Sequence, residues 1–148
     1  MTVYRITNCK YINDLSGKGA ALYGGRWNSK DVYIVYTAES RALALLEAVV
    51  HMGPIVMNYC IAEIEIPENS IEEVAINRLV ANWSNNPSPD IIKEIGDTFI
   101  KKGKHLVLRI PSAIMPEEHN YLINPNHEGF KKVKIIAHRP VKIDERFF

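Results

Sequence analysis

Only two cysteines, Cys9 and Cys60, occur in 148 residues, which excludes a scaffold held together by a disulfide framework. Residues 1–8 contain Arg5 and no apolar run, unlike a secretory leader, so the thiols are expected to be reduced and the chain cytoplasmic. Long apolar runs are missing as well. The longest nearly uncharged stretch, Ala42 to Val50, is interrupted by Glu47 and falls far short of the roughly 20 residues that span a bilayer. No membrane segment is expected. Nor does one sign of charge prevail: 18 Lys and Arg stand against 17 Asp and Glu, for a net charge of +1, which offers no footprint for direct binding of nucleic acid or an anionic membrane. The five histidines show neither His-Glu-x-x-His nor a His/Cys pairing of metal-site spacing, so no metal is expected. Gly17-Lys18-Gly19 lacks the spacer and the hydroxyl residue of a phosphate loop, and no Gly-x-Gly-x-x-Gly supports a dinucleotide fold. Ser112 has no Gly-x-Ser-x-Gly frame, which leaves His105, His119 and His127 as the sole basis for a serine-hydrolase reading. Repeats and low-complexity tracts are absent too.

What is present describes one domain, residues 1–148. A chain of this length can bury about 70% of its unfolded surface, and 47% apolar with 24% charged residues is ordinary for a globular protein. Val3 to Ile6 reads as a strand, and a glycine-bearing loop follows from Asn8 to Gly25. Asp31 to Tyr36 reads as a strand, then a helix capped by Thr37 or Ser40 runs to about Met52, stopped by Gly53-Pro54. Ile55 to Ile66 is a long β-prone run closed by Pro67, and Ile71 to Ile76 adds a short strand. After the turn at Asn85 to Pro89, the spacing of Ile91, Ile92, Ile95, Phe99 and Ile100 predicts a second helix from Asp90, with Gly103 as its C-terminal cap. Strands follow at His105 to Ile110, Tyr121 to Ile123 and Val133 to His138, and the tail from Val141 pairs or packs at an edge. The fold class is α+β, compact and strand-dominated, with at least two helices.

Polar residues in apolar settings mark the candidate site. Glu47 lies beside Leu43, Leu46 and Val50 on a helical wheel, at the margin of the apolar stripe. A carboxylate there must gain a partner or a substrate, because burying an unpaired charge is costly. Arg26, inside Gly24-Gly25-Arg26-Trp27-Asn28, is the expected partner and can also clamp phosphate in a bidentate manner. Tyr36 ends a strand at a sheet rim, where it can stack on a planar ligand or serve as a rim aromatic. The hydroxyl of Ser112, after Pro111, can bind a ligand or cap a turn.

These residues resemble one family. Tyr4-Arg5, Gly24-Gly25-Arg26-Trp27-Asn28, Val35-Tyr36-Thr37-Ala38-Glu39-Ser40, Leu45-Leu46-Glu47, Leu108-Arg109-Ile110-Pro111-Ser112 and Asn120-Tyr121-Leu122-Ile123-Asn124-Pro125 together match the RES-domain toxins of bacterial RES-Xre toxin–antitoxin pairs. The Arg, Glu and Ser of the family name fall on Arg26, Glu47 and Ser112, and Tyr36 matches the family's active-site tyrosine. The resemblance implies a fold similar to the mono-ADP-ribosyltransferases and NAD as a substrate, with no separate cofactor. In that reading Arg26 holds the pyrophosphate, Tyr36 stacks on nicotinamide, Glu47 serves the ribose, and Ser112 binds ribose, phosphate or the amide. Asn28 and Asn124 support them as substrate-binding groups. NAD is hydrolysed or phosphorolysed; the alternatives are ADP-ribosylation of a protein, or a silent module that binds a nucleotide or antitoxin. An Xre-type antitoxin is the implied partner, and DNA is reached only through it. A homodimer within that complex is compatible with the chain, although the stripe at Ile91, Ile95 and Phe99 more often packs in a core. Two positions depart from the family pattern: Asp31 replaces a common glycine, and no acidic residue precedes Trp83 at Asn82.

Overall fold

A computed structural model describes residues 1–52 and 58–148. Among these are seven strands, β1 (Thr2–Asn8), β2 (Val35–Ala38), β3 (Tyr59–Glu65), β4 (Ile71–Glu73), β5 (Val107–Pro111), β6 (His119–Ile123) and β7 (Lys134–Val141). They form one sheet in the order β4-β5-β6-β2-β1-β3-β7. Only β4 and β5 pair in parallel; the other pairings are antiparallel. Three α-helices among the described residues accompany the sheet: α1 (Lys18–Tyr23), α2 (Arg41–Val49) and α3 (Asp90–Lys102).

Side-chain alternation divides the sheet into two apolar faces. Tyr4 opposite Ala38, Tyr36 opposite Leu122 and Leu108 opposite Leu122 share one face. There Leu43 and Ala44 of α2 pack on Ala38, Tyr4 and Ile6. Ile92 and Phe99 of α3 pack with Leu108, Ile110, Leu122, Trp27 and Trp83. The other face carries Val3, Val35, Cys60, Ala62, Ile64, Val107 and Ile123, covered by Ile12, Leu106 and Phe130. Thus both longer helices rest on the same face, α2 over β1 and β2 and α3 over β5 and β6, with a cleft between them.

Local chemistry explains the helix ends. Ser40 caps α2 by accepting the Leu43 amide at 3.1 Å, while Thr37 lies within β2. Gly103 closes α3 in the left-handed region at φ 58°, as glycine readily does. Several expectations need correction. The Asn8–Gly25 loop contains α1, bracketed by Gly17 at φ 77° and Gly24 at φ 70°; six residues between two glycines carry too little periodicity to reveal a helix. β2 begins at Val35 instead of Asp31, because Asp31 has φ 69° and the Val32 amide turns back to the Ser29 carbonyl. α2 ends at Val49 instead of Met52. The expected helix stop at Gly53-Pro54 and the strand start at Ile55 lie outside the described residues; within them β3 starts at Tyr59. Of the α3 stripe, Ile92 and Phe99 are buried but Ile91 is 43% exposed.

The cysteines also depart from expectation: Cys9 and Cys60 form a disulfide instead of two thiols. Asn8 pairs with Tyr59, and the Cys9 amide then bonds to the Asn58 carbonyl at 2.8 Å. That step places the two Cα atoms 4.8 Å apart, within disulfide reach. Cys60 belongs to the face opposite the cleft.

Candidate active site

The cleft is built from two groups of residues. On the α2 side, Glu47 lies on the last turn of the helix and points toward the turn that joins β5 to β6. Its Oε1 accepts two hydrogen bonds, from Ser112 Oγ at 2.7 Å and from Asn120 Nδ2 at 2.7 Å. Asn120 sits opposite Ala38 and Ile110, on the helical face. Ser112 is fully buried, and its oxygen also accepts the Ile114 and Met115 amides, each at 3.1 Å. Its hydroxyl therefore caps the hairpin turn and donates to Glu47. It holds the carboxylate and has no surface of its own to offer a ligand. No histidine bonds to it among the described residues, which removes the geometry a serine hydrolase needs. Glu47 Oε2 has no protein donor among the described residues and remains available.

On the other side, Arg26 leaves the turn after α1. Its Nη1 donates to the carbonyls of Trp83 at 3.1 Å and Asn85 at 2.8 Å. Nε and Nη2 have no protein acceptor among the described residues, so one edge of the guanidinium can still grip an anion. Burial pushes the Arg26 pKa down, and the negative charge of Glu47 opposes this. Arg26 and Glu47 were expected to pair directly. Instead each is held by its own neighbours, and they act on each other across the cleft through charge alone.

Tyr36 and Asn28 form the scaffold under Arg26. The Tyr36 hydroxyl accepts the Trp27 amide at 3.1 Å and donates to Asn28 Oδ1 at 2.6 Å. Asn28 is fully buried, and its Nδ2 faces the carbonyls of Ala20, Ser29 and Val32 at 2.9–3.2 Å. Burial pushes the phenol of Tyr36 well above its ordinary pKa, and the charge of Asp97 adds to this. Tyr36 thus keeps its proton and donates it to Asn28, while its ring packs half-buried against the Trp27 and Leu122 cluster. Gly25 is required here: a Cβ would fall 2.7 Å from the Tyr36 hydroxyl and 2.8 Å from Asn28 Oδ1.

α3 fixes the same segment from above. Asp97 accepts the Ser29 amide at 2.8 Å and the Ser29 hydroxyl at 2.5 Å. A Cβ on Gly96 would meet the Trp27 carbonyl oxygen at 1.6 Å, so the helix crosses that backbone in direct contact. Glycine in a helix interior costs about 1 kcal/mol, a cost this close approach explains.

The structure brings Arg26, Asn28, Tyr36, Glu47 and Ser112 to one cleft. Asn124 lies four residues beyond Asn120, about 13 Å along the strand, and its buried Oδ1 caps its own turn by accepting the Asn126 amide at 2.9 Å. Asn120 is the residue that sequence reasoning passed over. Its Oδ1 is buried without a hydrogen-bond partner among the described residues. The signal was an asparagine inside a strand, where that residue is depleted.

A seven-stranded sheet thus carries Arg26 on one side of a cleft and the hydrogen-bonded Glu47 on the other. A RES domain model matches residues 2–144, and the chain belongs to that family. It is 38% identical over 151 residues to Toxin Res of Photorhabdus laumondii, covering 99% of this chain and 96% of that protein. It is 42% identical over 127 residues to the Prs ADP-ribosylating toxin of a Sphingobium species, covering 82% and 79%. A chain from the crystal structure of the M. tuberculosis MbcT-MbcA toxin–antitoxin complex superimposes with a TM-score of 0.79 at 16% identity, over 95% of this chain and 84% of that one. That likeness supports the fold alone.

Proposed function

We propose that the chain is the toxin of a toxin–antitoxin pair and cleaves NAD at the bond between nicotinamide and ribose. The observation that carries this reading is the single-sided holding of Glu47: both donors occupy Oε1, leaving Oε2 to face substrate. As the bond breaks, its electron pair leaves with the nicotinamide ring and positive charge develops on the ribose. A fixed carboxylate stabilises that charge or orients a ribose hydroxyl, as in glycoside cleavage. Arg26 holds the pyrophosphate with its unengaged guanidinium edge. Tyr36 offers its ring edge to nicotinamide while its hydroxyl and Asn28 keep the Arg26 turn in place. Ser112 acts through Glu47. Water or phosphate then attacks the sugar carbon, and the incoming oxygen sheds its proton to solvent.

Transfer of ADP-ribose to a protein is the second reading, supported by the name of the Sphingobium relative. The partner in either case is an antitoxin, of Xre type, which would carry any DNA contact; the toxin acts in the cytoplasm, where NAD is held, and can dimerise within the complex. The Cys9–Cys60 bond lies on the face away from the cleft, so activity does not depend on it. Purified, antitoxin-free chain mixed with NAD should release nicotinamide, and omission of phosphate separates phosphorolysis from hydrolysis. Release only when a protein acceptor is added would favour the second reading, and no release under either condition would overturn both.

A further inference from the structure

The two sides of the cleft share no side-chain hydrogen bond among the described residues, and each has its own anchor outside the site. α2 is only nine residues long, too short to hold its position without tertiary contacts. At its first turn Arg41 ion-pairs with Glu63 of β3 and lies over the Tyr4 ring of β1, 4.6 Å from the centroid. Glu63 and Tyr4 are cross-strand neighbours, so one guanidinium grips two strands at once. Glu47 follows six residues later, about 9 Å along the axis. A change in the pitch of the helix at Arg41 is therefore delivered to the carboxylate. The Arg26 segment is gripped from elsewhere, by Asp97 through Ser29 and by Gly96 against Trp27. Arg41 has no contact with the Arg26 segment, and Asp97 has none with Glu47, among the described hydrogen bonds and ion pairs.

We propose that Arg41 and Asp97 are positioning residues for separate halves of the reaction, Arg41 setting Glu47 and hence turnover, Asp97 setting Arg26 and hence the grip on the anionic substrate. The division rests on the reading of the site as an NAD-cleaving centre. A misplaced carboxylate loses interactions that exist only as charge develops, which lowers kcat. A loosened anion clamp weakens substrate and transition state alike, which raises KM. Because the anchors share no partner, their effects should be independent.

The test is steady-state NAD cleavage by Arg41→Ala and Asp97→Ala, with Arg41→Lys and Asp97→Asn as variants that keep a cation over Tyr4 and an acceptor for the Ser29 amide. Arg41→Ala is expected to lower kcat by about tenfold or more with KM within about twofold, and Asp97→Ala to raise KM by about tenfold with kcat within about twofold. The conservative variants should recover part of each loss, and the double variant should show the product of the two single effects on kcat/KM. Both variants moving the same parameter, or a double variant no worse than the poorer single one, would overturn the division. Amide hydrogen exchange reads the anchors without substrate: Arg41→Ala should deprotect α2 alone, and Asp97→Ala residues 26–29 alone. Local deprotection in a protein whose unmutated form releases no nicotinamide would overturn the reaction assigned to the site and leave the anchoring standing. Deprotection of both segments by either variant would overturn the anchoring itself.

Discussion

Glu47→Gln separates the charge of the carboxylate from its structural role. Both protein donors, Ser112 Oγ and Asn120 Nδ2, converge on Oε1, and a glutamine can present its carbonyl oxygen at that place. Each donor keeps an acceptor, so the stability change should stay within about 1 kcal/mol, the net size of a typical hydrogen bond. Glu47→Ala, by contrast, strands a hydroxyl and an amide donor, each costing about 1–3 kcal/mol if unsatisfied. The catalytic consequence is the reverse of mild. An amide cannot offset positive charge developing on the ribose, and loss of one fixed electrostatic group typically lowers turnover by about 10²–10³, or roughly 3–4 kcal/mol of barrier. Chromatographic assay of nicotinamide release, run beside urea unfolding of the same preparations, reads both quantities. A glutamine variant cleaving NAD at the unmutated rate would refute the role of the charge. One that loses as much stability as the alanine variant would refute the convergence on Oε1.

Three further outcomes follow from the same contacts. Tyr36 keeps its proton in the folded chain above its ordinary pKa of about 10, because burial raises it; the unfolded chain releases that proton first, so stability is complete below about pH 10 and declines as pH rises beyond it. Tyr36→Phe should flatten that alkaline decline in urea midpoints measured from pH 8 to 11, at a cost in stability at neutral pH from the freed Asn28 oxygen; an unchanged slope would show that another group titrates. Gly96→Ala drives a Cβ against the Trp27 carbonyl and should destabilise by about 2–3 kcal/mol, where an exposed helical site would gain about 1 kcal/mol from the same change; a gain in thermal midpoint would contradict the close crossing. Asp31→Gly relieves a left-handed residue and should raise stability by up to about 1 kcal/mol, with no change in NAD cleavage.

Much of this architecture was legible because periodicity survives folding. The α3 stripe and its Gly103 cap, the Ser40 cap of α2 and the β-rich runs all follow from spacing and local hydrogen bonding. What was not legible depends on register or on contacts between distant segments. Nothing in the separation of Cys9 and Cys60 by 51 residues announces that β1 and β3 pair so as to bring them together. α1 has only six residues, and its neighbouring glycines read equally well as loop. Arg26 and Glu47 were legible as polar groups in apolar settings, yet not the carbonyls and amides that satisfy each of them. Asn120 was hidden among strand residues, since its contact with Glu47 comes from sharing with Ala38 the face that α2 covers, a matter of pairing between β2 and β6.

The manner in which Ser112 is used bears on how the whole site is understood. A serine in this position invites assignment as a nucleophile or a ligand contact, but its oxygen already accepts two amides and its proton is given to Glu47. Ser112→Ala would therefore strand the Ile114 and Met115 amides and slacken the carboxylate together, with an expected cost of about 2–4 kcal/mol from the unsatisfied donors and a fall in kcat. Ser112→Thr keeps the hydroxyl and, if the hairpin accommodates the added methyl, should retain most turnover; a nucleophilic serine would instead tolerate neither change. Retained cleavage in a folded Ser112→Ala protein at the unmutated rate would show that Glu47 needs no second donor. The carboxylate would then be held by Asn120 alone, and the chemistry would rest on one strand asparagine and one helix glutamate facing the arginine.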